Sequence, residues 1–369
     1  MNSCISAIGT ANPEYCIPQE QIFGFMANAF ALDETNRARL KTIYDHSGIE
    51  YRYSVIPDFG ETDPTRFSFF EPSADLEPFV TTEKRLQLYQ QKALAIASKA
   101  VHNCLEAYSK DIFQSVTHLI TVSCTGMYAP GIDIDLVEQL GLKRTVERTC
   151  INFMGCYGAI NGLKAADHIC RSNPEAKVLV VCIELCTLHF QKLNTLDNWV
   201  ASSLFSDGAA AVLVEHTENR LNHTPVLNLT NFYSEFIPQG RDEMGWYVGN
   251  TGFEMKLTPR VPKHIKKYIS RVTANLLNAA GLSTEQITAY AIHPGGKKIL
   301  EAIEDALNLP EESNAFAYEV LQQFGNMSSA TILFVLDKML KSKKLSGERI
   351  LSFAFGPGLT VEGMVLKME

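Results

Sequence analysis

Three residues that lie far apart along the chain carry side chains suited to acyl-thioester chemistry. Cys156 stands between Gly155 and Gly158, His293 is followed by a proline and two glycines, and Asn326 follows a glycine. A thiol can act as a nucleophile, an imidazole as a base or hydrogen-bond donor, and an amide N–H as a donor to a developing oxyanion. Together they form a minimum set for making and breaking an acyl thioester.

Each of the three residues also has a purely structural interpretation. Cys156 lies where a helix is predicted to begin, which lowers a thiol pKa and exposes the sulfur, but a buried thiol packed between glycines gives the same pattern. His293 ends a buried strand, where its ring faces either a pocket or a structural partner. Asn326 either caps the next helix or aims its amide at an oxyanion. No acidic residue that would orient His293 is evident, which argues against a papain-like hydrolase.

Apolar periodicity predicts the elements that must position these side chains. Helical spacing predicts helices over residues 83–109, 158–171, 260–280, 298–307 and 328–341. Short runs rich in β-branched residues predict strands over residues 118–124, 177–184, 289–293, 349–355 and 360–366. Strands alternating with helices indicate an α/β fold in which helices cover a sheet.

A faint internal repeat suggests that this unit is duplicated. Residues 205–214 and 355–366 are both apolar stretches interrupted by a glycine turn and continued as a strand. Since the order of elements also matches, we expect two halves, residues 1–220 and 221–369, with a boundary near residues 216–226. The first half carries Cys156, and the second carries His293 and Asn326.

Composition excludes several functional classes. The 369 residues are 46% hydrophobic and 20% charged, with a net charge of −8. That charge repels nucleic-acid backbones, and no apolar run reaches the ~18 residues of a membrane span. The start of the chain has no secretory pattern, and the nine cysteines show no metal-ligand spacing, so a cytoplasmic protein with reduced thiols and no metal is expected. A lysine cluster is interpreted as ordinary surface: Lys338, Lys341, Lys343 and Lys344.

Five ordered motifs resemble the type III polyketide synthases, the chalcone and stilbene synthase family of the thiolase superfamily. They are Gly155-Cys-Tyr-Gly158, Leu204-Phe-Ser-Asp-Gly-Ala-Ala-Ala211, His293-Pro-Gly-Gly296, Gly325-Asn-Met-Ser-Ser-Ala330 and Phe355-Gly-Pro-Gly-Leu-Thr-Val-Glu362. The resemblance covers nearly the whole chain. It implies a thiolase-like duplicated αβαβα layered fold with two pseudo-equivalent halves.

The same resemblance implies a reaction and its substrates. Cys156, paired with His293 as imidazolium, would accept the acyl group of an acyl-CoA starter. His293 and Asn326 would bind the thioester oxygen of malonyl-CoA while CO2 leaves, and the resulting enolate would attack the Cys156 thioester. Repeated condensations and cyclisation would give a pyrone, a resorcinol or another small aromatic polyketide. Beyond CoA thioesters as substrates no cofactor is implied, and the subunits would pair as homodimers.

The resemblance also assigns residues to the substrate cavity. Phe205 matches a gatekeeper between the CoA tunnel and the cavity, and Met255 takes the place of a second gatekeeper that is usually Phe. Trp246 falls where plant members carry a glycine, so it should fill volume. Core packing for Phe205 and a surface position for Trp246 are the alternatives. Other lining positions depart from the plant pattern and look more like bacterial members: Cys124, Thr125, Cys186 and His189, with Ser328 retained.

Residues at the tunnel and at the subunit boundary follow by the same comparison. The predicted CoA-binding residues are Arg39, His46, Lys297 and Lys298. A residue after the Cys-Thr-Gly turn reaches the partner's cavity in the family, and here Met127 and Ala129 stand at that place. Two rival functions stay open at this point. One is another thiolase-superfamily condensing enzyme, such as an initiating ketoacyl-carrier-protein synthase or an HMG-CoA synthase. The other is a catalytically silent homologue that acts as a binding subunit.

Overall fold

A computed structural model describes residues 3–221, 224–342 and 345–369. The strands are β1 (Ser3–Ala11), β2 (Tyr15–Pro18), β3 (Tyr51–Ser54), β4 (His118–Ser123), β5 (Glu147–Asn152), β6 (Lys177–Leu185), β7 (Asp207–His216), β8 (Leu227–Phe236), β9 (Met244–Gly249), β10 (Gly252–Leu257), β11 (Ala289–Ile292), β12 (Arg349–Gly356) and β13 (Thr360–Met368). The helices are α1 (Gln19–Ala29), α2 (Glu34–Asp45), α3 (Thr82–Cys104), α4 (Ile112–Ser115), α5 (Ile132–Leu140), α6 (Gly158–Ser172), α7 (Leu196–Leu204), α8 (Val261–Ala280), α9 (Lys297–Leu307), α10 (Ala315–Phe324) and α11 (Thr331–Lys341).

One mixed sheet of nine strands forms the centre of the molecule. Its order is β11-β12-β13-β8-β1-β7-β6-β4-β5. Within it, β4 runs parallel to β5 and β6, and β11 runs parallel to β12. The strands of the first half meet those of the second where β1 pairs with β8; among the described residues this pairing comprises three residue pairs, which begin at Ser3↔Leu229. Each half of the chain therefore contributes its own continuous part of the sheet.

Helices cover both faces of these two parts and also lie between them. On one outer side α3 packs against β1, β6, β7 and α5, and on the other α8 packs against β8, β13 and α9. Between the two parts, α6 contacts β4, β6, β7 and β13, while α11 contacts β1, β7 and β11. The expected αβαβα layering is observed.

The two halves use their elements in the same way. In the first, β4 leads through α5 and β5 to α6 and the antiparallel pair β6–β7, and in the second, β11 leads through α9 and α10 to α11 and the antiparallel pair β12–β13. Cys156 and Asn326 both stand just before a middle-layer helix, while Cys124 and His293 directly follow β4 and β11. The division at residues 220 and 221 stays a prediction, and residues 222–223 of its boundary lie outside the described residues, as do Lys343 and Lys344.

All ten predicted elements are found, and two of the helices have an end that differs from the prediction by three residues or more. The helix predicted over residues 83–109 ends at Cys104, and the next residue, Leu105, leaves the helical conformation with a ψ of 11° while its side chain is buried in the core. The helix predicted over residues 328–341 begins as a 3-10 turn, Ser328–Ala330, and becomes regular only at Thr331. The apolar face of α8 is buried as expected, and Gly281 ends that helix with a φ of +67°.

Candidate active site

Cys156 lies in a 3-10 turn, Gly155–Tyr157, that leads directly into α6. The glycines beside it are needed for close packing. A Cβ at Gly155, which has a φ of +76°, would lie 2.4 Å from Cδ of Pro357, and a Cβ at Gly158 would lie 2.8 Å from Cγ1 of Val122. The turn is therefore pressed between β4 and the turn that connects β12 to β13.

Asn326 is held by backbone bonds to the segment that carries Phe205. Its N–H donates to the carbonyl of Leu204 (2.9 Å), and its own carbonyl accepts from Ser206 N–H (2.9 Å). The side-chain Oδ1 accepts from the N–H of Ser328 (2.8 Å), a local bond within the turn, but the N-cap residue of the 3-10 turn Ser328–Ala330 is Met327 and not Asn326. Nδ2 donates to the carbonyl of Gly295 (3.2 Å) and lies 4.0 Å from Cys156 Sγ.

His293 directly follows β11, and its imidazole faces the same cavity as Cys156. Its N–H donates to the carbonyl of Phe353 (2.8 Å), which fixes the backbone. The side chain is almost fully buried, and neither ring nitrogen has a hydrogen-bond partner among the residues the structure describes. Burial lowers the pKa of His293 to about 3. The ring is thus a neutral group with both nitrogens free to meet a ligand.

Burial also governs the thiol. It raises the pKa of Cys156 to about 12, with the nearby carboxyl of Glu184 adding to the rise and hydrogen bonds from Ser328 and Asn326 opposing it. The helix N-terminus was expected to lower the pKa of this thiol, but burial has the larger effect. Removing a thiolate from water costs more free energy than its interaction with the first turn of α6 contributes. The raised pKa of Cys156 favours a neutral thiol, and the lowered pKa of His293 favours a neutral imidazole.

The three residues and the predicted lining residues share one cavity of about 100 Å³. It is lined by Cys156, His293, Asn326, Phe205, Met255, Trp246, Cys124, Thr125, Cys186, His189 and Ser328. The structure thus brings together residues from both halves of the chain. Phe205 and Trp246 both line this cavity. The alternative interpretations were core packing for Phe205 and a surface position for Trp246.

One wall of this cavity is an aromatic cluster. The imidazole of His189 stacks on Phe253 with centroids 4.2 Å apart and an interplanar angle of 4°, and Trp246 stands edge-on to both. His189 Nε2–H donates to the carbonyl of Thr125 (2.6 Å) while its Nδ1 accepts from Phe253 N–H (3.0 Å), an arrangement that requires the neutral ring. Burial agrees, since it lowers the pKa of His189 to about 3. Trp246 Nε1–H donates to the carbonyl of Cys124 (2.7 Å).

The predicted CoA-binding residues line two neighbouring pockets. A pocket of about 520 Å³ is lined by His46, Lys297 and Lys298, and it shares Leu257, Gly295 and Ile299 with the inner cavity. A third, more open pocket of about 710 Å³ contains Arg39 and shares Thr42, Ile43 and Leu196 with the second. The three spaces are therefore adjacent, from the open outer pocket to the cavity that contains Cys156.

Two predicted residues line none of these three spaces in the single chain. Met127 and Ala129 are exposed and do not line the inner cavity. Sequence reasoning also missed lining residues, above all Arg52 and Phe355. Arg52 is buried, with Nε donating to Gln19 Oε1 (2.8 Å) and Nη1 to the carbonyl of Phe205 (2.9 Å). Nothing in the local sequence marks it, because its position depends on contacts with distant segments.

Within the described ranges, no group of three or more His, Cys, Asp or Glu side chains is arranged to hold a metal ion. None of the helices that the structure describes has the length and apolar character needed to cross a membrane.

Comparison with known proteins places the chain in a family. The family description "Chalcone and stilbene synthases, N-terminal domain" matches residues 2–217, and the corresponding C-terminal domain matches residues 228–368. The chain is 32% identical to the alpha-pyrone synthesis polyketide synthase-like Pks18 of Mycobacterium tuberculosis, over 98% of this chain and 90% of that protein. It is 29% identical to type III polyketide synthase A of Arabidopsis thaliana, over 98% and 91%.

A Dictyostelium discoideum relative, probable polyketide synthase 1, is 30% identical over 99% of this chain, but the chain spans only 11% of that protein's length. Two solved structures share the fold. The C-terminal type III polyketide synthase domain of Steely1, a type I/III hybrid from Dictyostelium, is 30% identical with a TM-score of 0.89, covering 100% of this chain and 99% of that one. PKS-I from the brown alga Ectocarpus siliculosus is 27% identical with a TM-score of 0.90, covering 100% and 98%. The chain belongs to the chalcone and stilbene synthase family of type III polyketide synthases, which are acyl-transferring condensing enzymes.

Proposed function

We propose that Cys156, His293 and Asn326 catalyse acyl transfer and decarboxylative condensation of malonyl-CoA in one cavity. The observation that carries this proposal is the placement of the Asn326 amide 4.0 Å from Cys156 Sγ, in a cavity that also contains the ring of His293, which has no hydrogen-bond partner among the described residues. A nucleophile, a base and an oxyanion donor then face the same space.

The first step loads the starter. The Cys156 sulfur attacks the thioester carbon of an acyl-CoA while His293 accepts the thiol proton. The new C–S bond forms, the bond from carbon to the CoA sulfur breaks, and the departing CoA takes the proton from His293. Because burial disfavours both isolated charges, thiolate and imidazolium must form together, where their attraction offsets the cost.

The second step makes the extending carbanion and the new bond. The carboxylate of malonyl-CoA leaves as CO2, and the electron pair of the broken C–C bond becomes an enolate whose oxygen accepts hydrogen bonds from His293 and Asn326. The enolate carbon attacks the Cys156 thioester, and the sulfur of Cys156 leaves. The chain has grown by two carbons, and its return to Cys156 permits another cycle.

The size of the inner cavity favours a short product. Its volume is about 100 Å³, below the roughly 150 Å³ of an apolar protein cavity that binds benzene. Trp246 and Met255 face each other across the β9–β10 hairpin and both line this space. We therefore propose a small starter and few extensions, closed to a pyrone, a resorcinol or another small aromatic ring.

The neighbouring pockets suit the CoA portion of the substrates. The second pocket is lined by Lys297 and Lys298 at the start of α9 and by His46 at the end of α2. Ammonium groups at a helix N-terminus, together with the backbone N–H groups there, favour phosphate binding. Arg39 in the outer pocket would meet the more distant phosphates.

A homodimer is proposed on the basis of an open sheet edge. The outermost strand, β5, is exposed at five of its six residues. An exposed edge strand is a template for pairing with another chain. Met127 and Met154 are exposed at positions close in sequence to α5 and β5, and pairing would cover apolar surface there.

Sedimentation should give twice the 41.0 kDa of one chain. A monomer at micromolar concentration would contradict this proposal.

The test of the proposed roles separates decarboxylation from condensation. Cys156→Ala should abolish condensation, yet it should retain part of the malonyl-CoA decarboxylation because His293 and Asn326 remain. Release of CO2 and formation of products are measured in parallel, with malonyl-CoA and a series of acyl-CoA starters, by mass spectrometry. Equal loss of both activities would refute this division of roles.

The same assay decides between the rival functions. Repeated extension from malonyl-CoA without a carrier protein excludes an initiating ketoacyl-carrier-protein synthase or an HMG-CoA synthase. A purified protein that neither decarboxylates malonyl-CoA nor becomes acylated at Cys156 would instead be a silent binding subunit.

A further inference from the structure

The largest fully buried side chain of the described protein is a cation, Arg85 in α3. Its guanidinium is 0% exposed, and among the described residues it forms no ion pair. Nε donates to the carbonyl of Val80 (3.2 Å), Nη1 donates to the carbonyl of Leu188, and the group lies 5.0 Å from the ring centroid of Phe79. A buried cation without a counter-ion destabilises a fold relative to an apolar side chain of similar size. Its contacts therefore need an explanation other than stability.

The carbonyl that Arg85 holds belongs to a turn of the active-site wall. Leu188 lies in the 3-10 turn Cys186–His189, whose first and last residues line the inner cavity. His189 is the ring that stacks on Phe253 and stands beside Trp246. Arg85 therefore reaches the back of the turn whose front faces the substrate space.

The first turn of α3 also holds the hairpin that carries the rest of this wall. Thr82 Oγ1 donates to the carbonyl of Gly249 and accepts from the N–H of Gly252 (2.7 Å), and Thr82 N–H donates to the carbonyl of Asn250 (2.9 Å). A Cβ at Gly252 would lie 2.9 Å from Cδ of Arg85. The hairpin turn is thus packed directly on the arginine, and β9 and β10 lead from it to the cavity.

Gln191 links the two segments to each other. Its Nε2 donates to the carbonyl of Thr251 (3.0 Å), and its Oε1 accepts from Thr251 Oγ1 (3.2 Å). Nε2 would also lie 2.9 Å from a Cβ at Gly252. Three side chains therefore connect α3, the Cys186–His189 turn and the β9–β10 hairpin, namely those of Arg85, Thr82 and Gln191.

We propose that Arg85 is a positioning residue that sets the length of the polyketide by holding the aromatic wall of the cavity from behind. The inference rests on the proposed function, since it concerns the number of malonyl extensions. A methionine of similar length could fill the space of Arg85 but could not donate to the carbonyl of Leu188. Without that bond the Cys186–His189 turn and the indole of Trp246 would be free to move outward and enlarge the cavity.

The test replaces Arg85 by Met and measures two properties. The product mixture formed from malonyl-CoA and short acyl-CoA starters should shift by one extension or more, while malonyl-CoA decarboxylation keeps its rate. Trp246 is followed by fluorescence in a W199F background, since the chain has only two tryptophans. Its acrylamide quenching should rise at least about twofold, because a wall without its support opens locally. Gln87→Met, an exposed change on the same helix, is the matched control and should alter neither property.

The results of this test distinguish a failure of the positioning role of Arg85 from a failure of the proposed function. A folded R85M protein with unchanged products and unchanged Trp246 quenching overturns the positioning role. If R85M does not fold, R85L, which also cannot donate to the carbonyl of Leu188, and T82V decide by the same two readouts, and unchanged values in both overturn it. If the wild-type protein forms no polyketide, the proposed function fails, while the quenching experiment still shows whether Arg85 holds the wall.

Discussion

Replacing Trp246 by glycine is the most direct test of how this cavity limits its product. The indole lines a space of about 100 Å³ and donates a hydrogen bond to the carbonyl of Cys124. Removing a leucine side chain beyond Cβ can leave a cavity of about 150 Å³, so removing an indole frees at least that volume. The cavity should therefore more than double.

The added volume can be compared with one extension. Two carbons and an oxygen occupy less than three water volumes, or about 90 Å³. W246G should thus admit at least one further extension, and longer products should replace the wild-type product. Trp-to-Ala changes in cores cost roughly 3–5 kcal/mol, and for the half-buried Trp246 we expect a loss of about 2–3 kcal/mol in unfolding free energy.

Mass spectrometry of products made from malonyl-CoA and a series of starters is the assay. Trp246→Phe is the matched control, because it removes the hydrogen bond to Cys124 but retains most of the ring volume. We expect W246F to keep the wild-type product length. If W246G folds, decarboxylates malonyl-CoA and yields the wild-type product distribution, then Trp246 does not limit chain length and the volume argument is wrong.

Three further predictions concern the catalytic and buried polar groups. Asn326→Ala should slow malonyl-CoA decarboxylation by roughly 100- to 1000-fold, the usual loss for one oxyanion donor, and a loss below tenfold would contradict its role. His293→Gln should slow the inactivation of Cys156 by iodoacetamide near neutral pH by roughly 100-fold or more, because the neutral thiol loses the base that accepts its proton as the thiolate forms; an unchanged rate would exclude proton transfer to His293. Burial raises the pKa of Glu184 to about 7, so this group lowers the unfolding free energy as the pH rises from about 4.5 to 7, by about 3 kcal/mol in all. Glu184→Gln should remove that part of the slope in urea unfolding at pH 5 to 8, and parallel wild-type and variant curves would show that Glu184 does not titrate in this range.

The sequence by itself was enough for the family, the catalytic candidates and most elements. Glycines beside Cys156, His293 and Asn326 mark tight turns, and a helix such as α8 shows its buried face through spacing alone. These are local properties, which depend on residues within one or two turns of each other. They can therefore be recognised from the amino-acid sequence alone.

Only the tertiary structure decided how the site is built and charged. The neutral state favoured for Cys156 follows from burial that outweighs the helix N-terminus, and burial is the sum of contacts from both halves. Arg52 and Arg85 have no sequence signature, because each acts on a carbonyl more than 100 residues away. The aromatic wall likewise depends on β9, β10 and the Cys186–His189 turn meeting in space. These features arise where segments that are distant in the sequence pack together and exclude water, so no local sequence pattern predicts them.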